Sequence, residues 1–207
     1  MKAAGLIKPI DWTASGVNKH DIQIPTRDEK NIRAVVYNRR EAVNSQLVVY
    51  FHGGGWTFGW PELWENGTSV LVHKLGCTVV SVDYRLAPEN PWPTAANDAC
   101  DSLTWCAENA ASLGADASKG FIVAGTSAGG NLAAIAVHDA IDKQLEPKVT
   151  GVMLMCAALI QAEAVPDEWK PHYNSHEEHK DGMVLDGRGM NWFIGESILT
   201  SAYRRDS

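Results

Sequence analysis

Short apolar runs alternate with helix-like stretches along most of the chain. Two early segments, Asp21–Pro25 and Asn31–Tyr37, alternate polar and apolar positions, which predicts an antiparallel hairpin at a sheet edge. The later apolar runs are nearly continuous, which predicts parallel strands buried on both faces. Those strands are expected at Leu47–Phe51, Thr78–Asp83, Phe121–Ala124 and Val149–Cys156, and the helices at Leu63–Leu75, Thr94–Asn109 and Leu132–Ala140. The order predicts an α/β fold, a doubly wound and mostly parallel sheet.

The length and the net charge of the chain predict a single acidic domain. The chain has 207 residues, 45% of them hydrophobic, so residues 1–207 are expected to form a single domain around one core. A formal net charge of −7 argues against nucleic acid or an anionic membrane as the main partner. No apolar run reaches transmembrane length, and Lys8 and Pro9 interrupt the apolar stretch near the start, unlike a signal peptide. We therefore expect a cytoplasmic protein.

The pattern of cysteines also favours a cytoplasmic protein. Their positions lack the spacing of a metal site, and a disulfide framework is not expected in an intracellular chain. We expect all of them to be reduced core residues: Cys77, Cys100, Cys106 and Cys156.

One motif at a predicted strand–helix junction carries nucleophile chemistry. Gly125-Thr126-Ser127-Ala128-Gly129 has the G-x-S-x-G form of a nucleophile elbow. Glycines on both sides of Ser127 would let the strand and the helix approach closely, and the hydroxyl would lie at the helix N-terminus. The other interpretation is a small-residue turn or a phosphate-binding loop, but neither a P-loop lysine nor a G-x-G-x-x-G spacing is present. We therefore predict that Ser127 is a catalytic nucleophile.

A second motif, His52-Gly53-Gly54-Gly55-Trp56, follows the strand predicted at Leu47–Phe51. Backbone N–H groups of Gly53 and Gly54, joined by that of Ala128, could hold the oxyanion of a tetrahedral intermediate. A flexible glycine loop without a catalytic role is the alternative. His52 is expected to be a scaffold residue, not the base, because it precedes Ser127 on a different strand.

With these two motifs, a third block makes the chain resemble the hormone-sensitive-lipase branch of the α/β-hydrolase family. The block runs from Val82 through Asp83, Arg85 and Glu89 and continues at 97–99. The resemblance implies carboxylic ester hydrolysis without metal or organic cofactor, and a small-molecule ester as substrate. It also implies that the third block supports the glycine loop, with Asp83 and Arg85 as buried structural polar groups.

On this fold a catalytic triad joins the nucleophilic serine to an acid and a histidine that follow it in the chain, and the sequence shows neither of these two partners. Neither the acid motif nor the histidine motif of the family follows Ser127. We therefore expect an α/β-hydrolase sheet that lacks its last strands, and weak or no activity. The alternative function is an inactive α/β-hydrolase that acts as a binding protein or remains as a relic. The exposed strand edge left at Val149–Cys156 predicts self-association.

Residues 157–199 are polar and resemble the family's cap segment, with a helix around Trp192. Within it, Asp167 and three histidines have the order of a rebuilt acid and base, and the histidines would share one helix face as zinc ligands do. A solvated cap helix without either role is the favoured interpretation, and no metal site is expected. Near the glycine loop, an acyl pocket and packing beneath the cap are equally open roles for Trp56, Phe58 and Trp60. The three histidines are His172, His176 and His179.

Overall fold

A computed structural model describes residues 10–161, 164–183 and 185–198. Within them a six-stranded mixed sheet has the order β1-β2-β4-β3-β5-β6. β1 and β2 form an antiparallel hairpin and β2 pairs antiparallel with β4, while β4, β3, β5 and β6 are mutually parallel. The strands are β1 Val17–Pro25, β2 Asn31–Arg39, β3 Leu47–Phe51, β4 Thr78–Val82, β5 Phe121–Thr126 and β6 Gly151–Met155. The predicted hairpin and parallel α/β sheet are confirmed.

Helices connect the parallel strands, as the alternating pattern predicts. The segment between β3 and β4 is the least regular, since a 3₁₀ turn, an α-helix and a π-helical turn follow one another before Gly76 ends it with a left-handed φ of 73°. The α-helices are α1 Glu65–Val70, α2 Thr94–Glu108, α3 Ala128–Asp142, α4 Ser175–Glu178 and α5 Gly187–Ile198. The shorter elements are the 3₁₀ turns Pro61–Trp64, Ala110–Leu113, Ala117–Lys119 and Lys170–His172 and the π turn Leu71–Leu75.

The sheet separates two apolar clusters because successive side chains of a strand point to opposite faces. On β3, Val49 and Phe51 join the larger cluster with the apolar sides of α2 and α3. Val48 and Tyr50 join a smaller cluster on the other face with Trp12. All five residues of β3 are buried, so the motif that follows β3 begins from a fixed strand end.

β6 ends the sheet among the described residues, where it pairs with β5 alone. Its side chains alternate between half-buried and exposed, with Val152 46% and Leu154 39% accessible. An apolar strand with one unpaired edge is the arrangement that the sequence predicts for Val149–Cys156, although the strand itself is shorter.

Two predictions for the C-terminal part are wrong. Cys156 is exposed, because β6 ends at Met155 and the chain leaves the sheet there; the other cysteines are buried, and all are free thiols. The three histidines do not share one helix: His172 ends a 3₁₀ turn, His176 lies in the single-turn α4, and His179 caps it. No group of three metal-ligating side chains occurs in the described ranges.

The N-terminal segment 1–9 lies outside the described residues, so the prediction about its apolar stretch is not addressed. No helix in the described ranges is long and apolar enough to cross a bilayer.

Candidate active site

Ser127 lies at the junction of β5 and α3, as the elbow motif predicts. Its backbone has φ 55° and ψ −119°, a region that costs a non-glycine residue about 1–3 kcal/mol. Backbone hydrogen bonds hold it there. Its N–H donates to the carbonyl of Met155 at 2.8 Å, and its own carbonyl accepts from Asn131 at 3.1 Å and from Ala158 at 3.4 Å. The end of β6 thus fixes the strained turn.

Close backbone packing explains why the motif needs glycine after Ser127. A Cβ on Gly129 would collide with the backbone carbonyls of Phe51 and His52. The first turn of α3 is therefore pressed against the end of β3, from which the glycine loop starts. The elbow and the loop meet because of this contact.

The hydroxyl of Ser127 is not used for structure. A serine at this helix position usually accepts a hydrogen bond from the first turn, but Ser127 makes no side-chain capping bond. Among the described residues its Oγ has no hydrogen-bond partner, and the side chain is half-buried. The group that the fold holds in a strained position is free to react.

The glycine loop lies directly beside this turn. A Cβ on Gly53 would lie 3.5 Å from the Cβ of Ser127 and 3.1 Å from the carbonyl oxygen of Thr126. Gly54 has φ 130°, and its carbonyl oxygen accepts the N–H groups of Thr57 and Phe58, each at 3.1 Å. The loop is therefore an ordered turn next to Ser127.

Three backbone N–H groups near Ser127 remain unpaired within the described chain. Neither Gly53 nor Gly54 donates its N–H to a protein acceptor. Ala128 is the first residue of α3, where a helix has no internal acceptor for the N–H. These are the donors expected for an oxyanion hole, at a helix N-terminus that favours negative charge.

His52 is a scaffold residue by its surroundings. Its ring is fully buried and stacks on Tyr84 with 4.3 Å between centroids, and Nδ1 lies 2.8 Å from the carbonyl oxygen of Gly53. Burial lowers the pKa of the imidazole below its ordinary value of 6.5 and so disfavours its charged form. Neither ring nitrogen is hydrogen-bonded to the hydroxyl of Ser127, since Nδ1 lies against Gly53 and Nε2 has no partner among the described residues.

The block after β4 contacts the glycine loop, as the resemblance implies. The Tyr84 hydroxyl donates to the carbonyl oxygen of His52 at 2.8 Å, and the Ala87 N–H donates to that of Trp56 at 2.9 Å. The sequence did not single out Tyr84 as the contact residue. Its place directly after a buried strand was the available signal.

Arg85 and Asp98 anchor that block. Asp98 is fully buried and accepts the Arg85 backbone N–H at 2.9 Å, Nε at 2.9 Å and Nη2 at 2.6 Å. Arg85 also pairs with Asp28 in the turn between β1 and β2. The hydrogen bonds to Asp98 and then to Asp28 raise the pKa of the Arg85 guanidinium. The hairpin partner could not be found from the sequence, since 57 positions separate Arg85 from Asp28.

Asp83 belongs to a second charge cluster. It is half-buried and pairs with Arg33 at 3.3 Å; Arg33 also pairs with Glu62 and with Asp21. Burial raises the pKa of the Asp83 carboxyl, which Arg33 partly offsets. Asp83 and Arg85, to which the resemblance gives a buried structural role, are both in ion pairs, although neither is fully buried.

A cavity of about 260 Å³ opens beside the elbow helix. Its wall includes Trp56 after the glycine loop, Trp92 before α2, Asn131 and Ile135 on α3, and Gln161 after β6. Trp56 is thus a pocket residue, whereas Phe58 and Trp60 are more than half exposed.

The segment after β6 returns to the glycine loop through α5. Phe193 packs against Gly55, where a Cβ would collide with the phenyl ring, and it lies 5.8 Å from the ring of Phe58. The helix predicted around Trp192 is confirmed as α5. Residues 162–163, 184 and 199 of the predicted cap segment lie outside the described residues.

Comparisons with known proteins agree with this geometry. A family model described as alpha/beta hydrolase fold matches residues 48–207. An AB hydrolase superfamily protein of Schizosaccharomyces pombe is 37% identical over 180 residues, which are 86% of this chain and 53% of that protein. Carboxylesterase NlhH of Mycobacterium tuberculosis is 40% identical over 153 residues, 73% of this chain and 44% of the esterase.

Among solved structures, the crystal structure of vibralactone cyclase superposes with a TM-score of 0.83 at 33% identity, over 91% of this chain and 56% of the cyclase. The chain spans about half the length of the curated relatives it matches. The resemblance drawn from the three motif blocks is confirmed by these matches. The chain therefore belongs to the α/β-hydrolase family, among relatives of the carboxylesterase type.

Proposed function

We propose that the protein hydrolyses carboxylic esters through Ser127 as nucleophile. The observation that carries the proposal is the strained, unpaired Ser127 at the β5–α3 turn with the glycine loop against it. In this reaction the Ser127 oxygen attacks the ester carbonyl, and a base takes the hydroxyl proton. The alcohol leaves with a proton, and water then releases the acid from the acyl-enzyme.

The N–H groups of Gly53, Gly54 and Ala128 are proposed as the oxyanion hole. All three are without a protein acceptor among the described residues, and the α3 N-terminus adds a favourable dipole. Loss of one oxyanion donor typically costs about 3–4 kcal/mol of transition-state stabilisation. Such donors stabilise negative charge on the substrate without a metal ion, so the proposal needs no cofactor.

The rate of ester hydrolysis depends on a general base that takes the proton of the Ser127 hydroxyl. A base must lie within hydrogen-bond reach of the nucleophile, about 2.6–3.2 Å away or through one water. No described His or carboxylate is hydrogen-bonded to the Ser127 hydroxyl. We therefore expect the 207-residue chain to hydrolyse activated short esters slowly, at roughly 10³–10⁴-fold above water, which oxyanion stabilisation and binding supply without a full triad.

Covalent labelling tests the nucleophile without relying on turnover. The chain is treated with a fluorophosphonate, digested and analysed by mass spectrometry. The expected result is phosphonylation of Ser127, lost in Ser127→Ala and retained in Ser102→Ala, a change at a buried serine outside the site. Absence of label on Ser127 in a folded chain would overturn the proposal and favour a binding protein.

Hydrolysis of p-nitrophenyl acetate tests whether one of the described histidines acts as the base. Alanine at each of His172, His176 and His179 should leave the residual rate unchanged, since all three are exposed. Ser127→Ala should also keep a rate of the same order, because the oxyanion hole and binding supply it. Fast turnover abolished by one of the histidine variants would show that Asp167 and that histidine form a rebuilt acid and base.

Three broader features complete the proposal. Residues 157–199 are proposed to be a cap, supported by the contact of Phe193 with Gly55. A reducing, cytoplasmic location is supported by four free thiols. Self-association is supported by the exposed apolar side chains of β6.

A further inference from the structure

The cavity beside α3 has two unpaired side-chain amides in a wall that is otherwise largely apolar. Neither Asn131 nor Gln161 has a side-chain hydrogen bond to another described residue. The third amide of the wall, that of Asn90, is already bonded to the carbonyl oxygen of Leu86 at 3.2 Å. The first two amides are therefore available to a ligand.

A buried donor lies in the same wall. Trp56 is 8% exposed, and its indole N–H has no hydrogen-bond partner among the described residues. Buried polar groups normally have partners, and an unpaired one is costly. The Trp56 N–H is itself shielded from solvent, so the two free amides are the polar groups that a ligand in the cavity can reach.

The cavity is adjacent to the proposed nucleophile. Asn131 follows Ser127 by one helical turn, and the Asn131 N–H donates to the Ser127 carbonyl at 3.1 Å. Trp56 ends the glycine loop that lies against Ser127 from the other side. One arm of an ester bound at Ser127 would enter this space.

The size of the cavity restricts that arm. Its volume of about 260 Å³ lies below the range of about 300–1,000 Å³ that is typical of pockets for drug-sized ligands. A short arm fills a cavity of this size, whereas a long fatty chain would extend out of it into solvent. A short chain made only of carbon would displace water from the amides of Asn131 and Gln161 and give them no partner in return.

We propose that this cavity selects esters in which one arm is short and carries a hydrogen-bonding oxygen, a ketone or hydroxyl a few atoms from the ester carbonyl. The proposal rests on Ser127 as the nucleophile. The amide groups of Asn131 and Gln161 donate to that oxygen, while Trp92 and Ile135 contact the carbon chain. Sites built to pair a substrate oxygen discriminate against analogues that lack it, because their polar groups are then left unpaired.

Matched esters test both arms of the substrate. For the acyl arm, p-nitrophenyl 4-oxopentanoate is compared with p-nitrophenyl pentanoate, each corrected for its spontaneous hydrolysis. For the alcohol arm, 4-oxopentyl acetate is compared with pentyl acetate. On one arm the ketone is expected to raise kcat/KM about tenfold. Asn131→Leu or Gln161→Met should bring that ratio close to one, whereas Gln23→Met on the exposed face of β1 should leave it unchanged.

Binding supplies a readout that does not need Ser127 chemistry. Titration with 5-hydroxypentan-2-one should change tryptophan fluorescence, since Trp56 and Trp92 line the cavity, and should do so at lower concentration than 1-hexanol. Asn131→Leu should remove the difference, and a thermal melt checks that this variant is folded.

The two proposals fail in different ways. If Ser127 is labelled by the fluorophosphonate but neither arm shows a preference for the ketone, the cavity assignment is wrong and the nucleophile stands. The cavity assignment is also wrong if the preference for the ketone survives in both Asn131→Leu and Gln161→Met and both variants are folded. If the fluorophosphonate does not label Ser127 in the folded chain, the proposed function itself fails.

Discussion

The ion pair between Arg85 and Asp98 offers a measurable test of how the glycine loop is held. Asp98→Asn keeps the shape of the side chain but removes its charge, and it replaces one acceptor oxygen with an NH₂ donor that faces the donors of Arg85. Asp98 is fully buried and Arg85 is 15% exposed, so water cannot replace the lost interaction. Removing the charge of one partner in a buried ion pair costs about 3–5 kcal/mol, which is a large part of the free energy of unfolding of a typical domain.

A matched control lies one helical turn along α2. Asp101 pairs with Arg27 in the same bidentate manner, but Arg27 is 45% exposed. Asp101→Asn should therefore lower the free energy of unfolding by about 1 kcal/mol or less. The two variants differ in burial and share residue type, helix and geometry.

Urea unfolding followed by tryptophan fluorescence measures both free energies. Asp98→Asn should shift the midpoint strongly without changing the slope, and it should also slow fluorophosphonate labelling of Ser127, because Arg85 anchors the block that contacts the glycine loop. Equal losses in Asp98→Asn and Asp101→Asn would refute the argument from burial. A large stability loss with unchanged labelling would refute the link to the loop.

Three further predictions concern single residues. Ser127→Gly should raise the free energy of unfolding by about 1 kcal/mol in urea by relieving the backbone strain, whereas Ser127→Ala should not, and a gain in neither variant would contradict the strain assignment. Burial holds the pKa of His52 below the 6.5 of the unfolded chain, so the free energy of unfolding should fall as pH drops below 6.5, by at most about 1.4 kcal/mol per pH unit. His52→Gln should flatten that slope. If the stability curves of the variant and the parent protein run parallel with pH, the prediction is wrong. Val152→Lys on the β6 edge should reduce self-association measured by light scattering, which an unchanged particle mass would rule out.

The sequence predicts the sheet well because each parallel strand is a continuous apolar run. β3 and β5 begin where predicted, and Ser127 and the glycine loop follow from motifs at their ends. These elements depend on local pattern and on chain order, both of which a single sequence contains.

Contacts between distant segments could not be predicted in the same way. The pair of Asp28 with Arg85 and the packing of Phe193 on Gly55 are set by tertiary structure, and no periodicity marks them. The histidines were placed on one helix because their spacing fits 3.6 residues per turn. The chain breaks that helix between His172 and His176 into two separate turns.

The hydrogen bond from the Ser127 N–H to the carbonyl of Met155 has a dynamic consequence. Edge strands are among the first elements to open in local unfolding, since they have partners on one side only. When the end of β6 opens, the amide of Ser127 loses its acceptor and the strained turn can relax. Hydrogen exchange at that single amide would therefore report how often the nucleophile leaves its reactive conformation, with an opening free energy set by the sheet edge and not by global unfolding.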